Sequence, residues 1–446
     1  MSSQAGERLV ARGGLPCGRV RVAGDKSISH RAAMFGALAE GETRITGFLA
    51  GEDCLATLTA FRRMGVATEG PDTGGNLRIA GVGLDGLQPP EEPLAMGNSG
   101  TSMRLLAGLL AGQHFPTVLT GDASLRNRPM NRVAEPLTRM GARIRAEGEG
   151  GRPPLRIEPA PDLKGRHHVL EVASAQVKSA LMLAGLYADG ETCVTEPAPT
   201  RDHTERMLAA FGYPISRDGA TVCLDGGGRL GGTDLAIPGD LSSATFFLVA
   251  AAIIPGAELT IEEVGINPTR RGGLDILRAM GADIREANPR TLGGEPVADL
   301  EVRGGRLHGI NIPTQTVPLA IDEFPALFVA AAAAEGRTVL REAEELRVKE
   351  SDRIQVMAYG LQALGVAAEP LADGIVIDGG AMSGGKVDAH GDHRVAMAFA
   401  VASVVAEGPI EVTGAEAIRT SFPDFLDVVE RAGLRVATIT EGSNHG

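Results

Sequence analysis

The chain runs to 446 residues, longer than one hydrophobic core usually organises, so two domains are expected. A net charge of −13, no tryptophan and only three tyrosines disfavour a nucleic-acid surface, an anionic-membrane surface and base-stacking platforms. A locally basic cleft remains compatible with that balance.

Cys17, Cys54, Cys193 and Cys223 are scattered, with neither zinc-site nor redox-motif spacing, and read as reduced, buried thiols. The N-terminal MSSQAGERLVARGG lacks the apolar core of a signal peptide. The longest apolar runs, 246–254 and 326–334, are too short to span a bilayer. A cytoplasmic protein without membrane contact is expected.

In chain order, a strand around residues 15–22 comes first, then GDKSISHRAAMFGALAEG from Gly24. That stretch recurs in altered form from Gly97, Ser174, Gly239, Asp322 and Gly391. Each copy has small or polar residues, an apolar helical run, usually a glycine stop, and then a short strand. The first helix of each unit is apolar nearly all round and should be buried. A second, amphipathic helix follows in each unit and ends at Gly65, Gly141, Gly212, Gly281, Gly365 or Gly433. The fold class is therefore α/β, with six repeated units split three and three. The split predicts one domain over 23–235 and another over 1–22 plus 236–446, completed by the N-terminal strand.

A buried helix must satisfy its first N–H groups, and its N-terminus favours anions. Several starts add cations and hydroxyls: Lys26, Ser27 and Arg31; Thr101 and Arg104; Ser174, Gln176 and Lys178; His393 and Arg394. If these starts share a cleft, it binds something heavily anionic. Taken singly, each such serine or aspartate is an ordinary cap. GxxxxGK[ST] is absent, so this is no phosphate loop. His390, Asp392 and His393 lack a recognised ligand spacing, and no metal or cofactor is expected. DEFP puts Asp322 and Glu323 at a helix start, and EELRVKESDR gathers Lys349, Glu350 and Arg353. On a helix those three would share one face, and the bland alternative is a solvated ion-paired helix.

The segments GDKSISHRA, GNSGTSMR, GDASLRNRPM, ASAQVKSA, TRDHTERML, PGDLSSATF, INPTRRGG, IDEFP, EELRVKESDR, GDHRVAMA and TSFPDF together closely resemble the 5-enolpyruvylshikimate-3-phosphate synthase family, in its class II branch. The resemblance runs from about Gly13 to Ala432. It implies the two-domain enolpyruvyl transferase fold of inside-out αβ barrels, with the active site in the interdomain cleft and the protein a monomer. It also implies transfer of the enolpyruvyl group of phosphoenolpyruvate to the 5-hydroxyl of shikimate 3-phosphate, with release of phosphate. By motif match, Lys26, Ser27, Arg31, Ser174, Ala175, Gln176, Arg201, Asp322 and Lys349 would bind shikimate 3-phosphate. Lys26, Asn98, Gly100, Arg128, Gln176, Arg353 and Arg394 would bind phosphoenolpyruvate. Asp322 would accept the hydroxyl proton. Glu350 would give a proton to C3, with Lys26 also at the reacting centre.

Two positions depart from common family patterns. Thr420, beside Arg419, stands where the other branch has a lysine, and Leu105 stands where glyphosate-sensitive enzymes often have proline. Gly100 should leave room for glyphosate. The sister transferase acting on UDP-N-acetylglucosamine fits less well, because its loop cysteine corresponds to Asp122. A DNA-encircling ring is the rival of another class. The carboxylates beside the basic helix starts, which would repel DNA, argue against it.

Overall fold

The structure, a computed structural model, describes residues 7–440. The reading of the N-terminus as free of a signal peptide rests partly on residues 1–6, outside the described residues. The chain divides into two compact units. The first comprises Gly24–Ile237 with the short piece Leu292–Glu295, and the second comprises the remaining described residues.

The second repeat shows how each sequence copy folds. Strand Leu94–Ala95 leads into helix Gly100–Leu110, which returns the chain to strand Thr117–Thr120, parallel to the opening strand. Parallel pairing needs such a crossover, and the apolar helix supplies it. The amphipathic helix Asn131–Arg139 follows, and strands Arg143–Gly148 and Arg152–Glu158 close the sheet antiparallel. The other repeats follow this plan, giving five four-stranded sheets and one of three strands among the described residues. The amphipathic helices stop at the six predicted glycines, whose φ angles lie between 77° and 102°. That left-handed region is open to glycine at little cost.

Both units close on themselves through a strand distant in sequence. In the first, Asp234–Ala236, after the third repeat, pairs parallel with Glu40–Thr46 of the first. In the second, Cys17–Val20 opens the fourth repeat by pairing parallel with Glu258–Gly265. A strand not foreseen, Glu7–Gly14, lies between Ile410–Thr413 and Leu434–Thr440, and buries Leu9 and Ala11.

Each unit has three buried helices. They are Lys26–Leu38, Gly100–Leu110 and Ala175–Gly185 in the first, and Leu241–Ala252, Phe324–Ala333 and His393–Ala402 in the second. Their small residues let backbones come close. A Cβ on Gly108 would sit 2.0 Å from the Ala180 carbonyl oxygen, so only glycine fits there. Among the described residues, no helix is long and apolar enough to cross a membrane.

Two expectations need correction. Cys193 and Cys223 form a disulfide rather than remaining reduced, because the antiparallel register of Glu191–Thr195 and Thr221–Asp225 sets them directly opposite. Cys17 and Cys54 take no part in a disulfide, and Cys17 is exposed, not buried. Lys349 and Glu350 do not share a helix with Arg353. A 3-10 turn covers Glu344–Val348, and the helix Arg353–Ala363 begins only after Asp352, which caps it by accepting from the Gln355 amide at 3.0 Å.

Candidate active site

In GDKSISHR, Asp25 caps the first buried helix, accepting from the Ile28 amide at 2.9 Å. The next residues fan out around one and a half turns and meet different neighbours. Lys26 pairs with Asp53 at the start of the amphipathic helix Glu52–Arg63. Ser29 Oγ accepts from the Leu49 amide at 3.0 Å. Arg31 donates to the Ser27 carbonyl at 2.9 Å, to Thr204 at 2.7 Å and to Ser179 at 2.6 Å. Burial lowers its pKa to about 10 against the opposing charge of Glu205, so it stays protonated at neutral pH. Arg201 reaches the Ser27 hydroxyl at 3.4 Å.

The other two starts of this unit lie beside the first. Ser99 and Ser174 cap their helices. Asn98 accepts from Arg128 and donates to Asp122 at 3.0 Å. Gln176 accepts from Arg104 at 2.8 Å and donates to Thr101 at 3.0 Å. These contacts join all three N-termini, so the three helices run parallel and their positive ends coincide. Gly100 lies against two guanidinium groups: a Cβ there would be 2.8 Å from Arg104 Nη1 and 3.4 Å from Arg128 Nη1. Lys178, one of the cations read at the helix starts, instead turns inward and is held between Glu196 and Glu205, each at 2.7 Å.

In the second unit the centre is Arg353, fully buried at the first position of its helix. It donates from Nε to Asp392 at 2.9 Å and from Nη2 to Glu350 at 2.6 Å. Its Nη1, without a hydrogen-bond partner, lies 3.5 Å from Asp322. Burial alone would lower the arginine's pKa. Asp392, Glu350 and Asp322 outweigh it and raise the value. Burial would likewise raise that of Asp392, but the Arg353 charge brings it below the usual carboxylate range. Asp392 also caps the helix His393–Ala402, and Arg394 in its first turn donates to the Asp322 carbonyl at 3.1 Å. The structure thus gathers Asp322, Glu350, Arg353 and Arg394. Lys349, next to Glu350 in the chain, lies 3.9 Å from Glu345.

Sequence reasoning missed the groups that hold these side chains. Asp53, Thr204 and Ser179 each fix a predicted residue, yet none carries a local signal, and Arg104, read only as a cation at a helix start, holds Gln176. Asp392, weighed only as part of a metal-like HGDH, is the partner of Arg353. Among the described residues, the one group with metal-ligand geometry is Glu191 with Cys193 and Cys223, whose sulfurs are bonded to each other.

Two parallel-helix units with charged helix starts define an enolpyruvyl-transferase fold. The enolpyruvyl transferase NikO of Streptomyces tendae superposes with a TM-score of 0.80 at 18% identity, covering 98% of this chain and 99% of its own. The model of the EPSP synthase (3-phosphoshikimate 1-carboxyvinyltransferase) family matches residues 15–429, and the chain belongs to that family. The 3-phosphoshikimate 1-carboxyvinyltransferase of Nitrosococcus oceani is 63% identical over 428 residues, 96% of each chain. That of Methylococcus capsulatus is 62% identical over 95% of this chain and 97% of its own. The EPSP synthase structure from Acinetobacter baumannii has a TM-score of 0.88 at 54% identity, covering 97% of this chain and all of that one.

Proposed function

We propose that this protein transfers the enolpyruvyl group of phosphoenolpyruvate to the 5-hydroxyl of shikimate 3-phosphate and releases phosphate. The observation that carries this is Arg353, a buried guanidinium reaching both Asp322 and Glu350. It links the two carboxylates suited to base and acid roles. Each substrate brings a carboxylate and a phosphate, which planar guanidinium groups grip through paired hydrogen bonds.

Lys26, Ser27, Arg31, Ser174, Ala175, Gln176 and Arg201 hold shikimate 3-phosphate, with Asp322 and Lys349 from the second unit. Lys26, Asn98, Gly100, Arg128 and Gln176 hold phosphoenolpyruvate, with Arg353 and Arg394 from the second unit. Glu350 protonates C3, which makes C2 electrophilic, with Lys26 at the same centre. The 5-hydroxyl adds to C2 as Asp322 takes its proton. Loss of a C3 proton and expulsion of phosphate from the tetrahedral adduct restore the enol ether.

Phosphate release by the purified protein tests this, with shikimate 3-phosphate or UDP-N-acetylglucosamine as acceptor. Release with shikimate 3-phosphate alone is expected. Release with the nucleotide sugar alone, or with neither, overturns the assignment.

A further inference from the structure

The histidine of GDKSISHR has no place in the binding set above. His30 is fully buried, as are the hydroxyl side chains aligned with it, Thr57, Ser102 and Ser99. His30 Nδ1 lies 2.8 Å from Thr57 Oγ1, which lies 2.6 Å from Ser102 Oγ, which lies 2.7 Å from Ser99 Oγ. Ser99 is the cap of helix Gly100–Leu110 and also accepts from the Ser102 amide at 3.1 Å. The line of bonds runs from the first buried helix to the turn that holds Asn98 and Gly100. Arg31, the next residue, ties the same helix to the third repeat through Ser179 and Thr204.

Counting hydrogens gives the chain a direction. The single Ser102 hydroxyl hydrogen goes to Ser99, so Ser102 accepts from Thr57. Thr57 has then spent its own hydrogen and accepts from His30, which places a hydrogen on Nδ1. Weaker alternative acceptors are the Asp53 carbonyl, 3.5 Å from Thr57 Oγ1 and 3.4 Å from Ser102 Oγ, and His30 Nδ1 itself, 3.5 Å from Ser102 Oγ. Nε2 of His30 is buried with no partner, so a proton there would be an unpaired interior charge. Burial, then the nearby charges of Lys26 and Arg31, hold its pKa well below 6.5.

We propose that His30, donating from Nδ1 into the Thr57–Ser102–Ser99 chain, is a positioning residue that fixes the Ser99 cap and so the presentation of Asn98 and Gly100 to phosphoenolpyruvate. This rests on the assignment of those two residues to phosphoenolpyruvate.

The test is steady-state kinetics of the full chain and its variants, with both substrates varied. His30→Leu and Ser102→Ala should each raise KM for phosphoenolpyruvate by roughly five- to twentyfold, the scale of one lost buried hydrogen bond. KM for shikimate 3-phosphate should stay within about twofold, because Arg31 and its partners are untouched. His30→Asn places an amide N–H where Nδ1–H stands and should restore near-normal values. The double variant should be no worse than the worse single, since both cut one chain. Nitrogen NMR of the wild-type protein should show His30 as the Nδ1–H tautomer.

A normal KM for phosphoenolpyruvate in both single variants, fully additive effects, or the Nε2–H tautomer overturns the proposal. If His30→Leu does not fold, Ser102→Ala and the tautomer decide. Asn98→Ala separates the two layers. If it leaves that KM unchanged, the assignment of the turn fails and takes the proposal with it. If it raises KM while His30→Leu and Ser102→Ala do not, the proposal alone fails.

Discussion

Arg353 and Asp392 form a buried pair, Nε to carboxylate at 2.9 Å, in which each residue begins or caps a different helix. Removing the Asp392 charge leaves the buried Nε side of Arg353 without its carboxylate, although Glu350 and Asp322 remain at its other end. Asp392→Asn should lower unfolding free energy by about 3–5 kcal/mol. The depressed pKa of Asp392 sets the pH sign. Its contribution is complete above the unfolded-state value of 3.8 and is lost as pH falls through the lower folded-state value. Urea denaturation of both proteins should show the gap constant from pH 5 to 7 and shrinking below pH 4.

Glu350→Gln and Asp322→Asn should each lower kcat by about 10²–10⁴, the usual weight of one acid–base group. Both carboxylates are partly exposed and contact Arg353 from outside its bond to Asp392, so the fold should persist. Circular dichroism with turnover assays checks this. Near-normal kcat would remove that residue from the mechanism.

At Gly100 the added methyl of Gly100→Ala would stand 2.8 Å from the end of Arg104 and 3.4 Å from that of Arg128. The guanidinium groups are flexible enough to shift, so the variant should fold. Their displacement should raise KM for phosphoenolpyruvate by roughly tenfold, the effect of about 1.4 kcal/mol of lost binding. Glyphosate should inhibit the wild type competitively with phosphoenolpyruvate and act less on the variant. A wild-type inhibition curve needing millimolar glyphosate at low phosphoenolpyruvate would contradict the open pocket.

Lys178 should be structural, despite its place in ASAQVKSA. It is fully buried between Glu196 and Glu205. Lys178→Met leaves two interior carboxylates without their cation and should cost about 3–5 kcal/mol in urea denaturation. Retained wild-type stability would show that the carboxylates find another partner.

Much of this protein is local and could be read along the chain. Six apolar helices, six amphipathic ones and six glycine stops arise from periodicity and capping, which act over a few residues. The helix starts announced themselves as polar for the same reason. Which neighbour each start would meet was beyond such signals. Arg31 and Ser179 are separated by 148 positions, and Arg353 and Asp392 by 39. Two lysines in similar helix-start motifs therefore end in different surroundings: Lys26 pairs with Asp53 and keeps some exposure, while Lys178 is fully buried between Glu196 and Glu205. The Glu7–Gly14 strand was missed because its partners lie at the other end of the chain, and the Cys193–Cys223 bond because it depends on strand register. The sequence by itself determined the repeated elements and the residue types at their tips. Only the tertiary structure decided which of those tips are paired with one another in the interior and which keep some exposure, because a buried charge takes its partner from whatever the packing brings beside it.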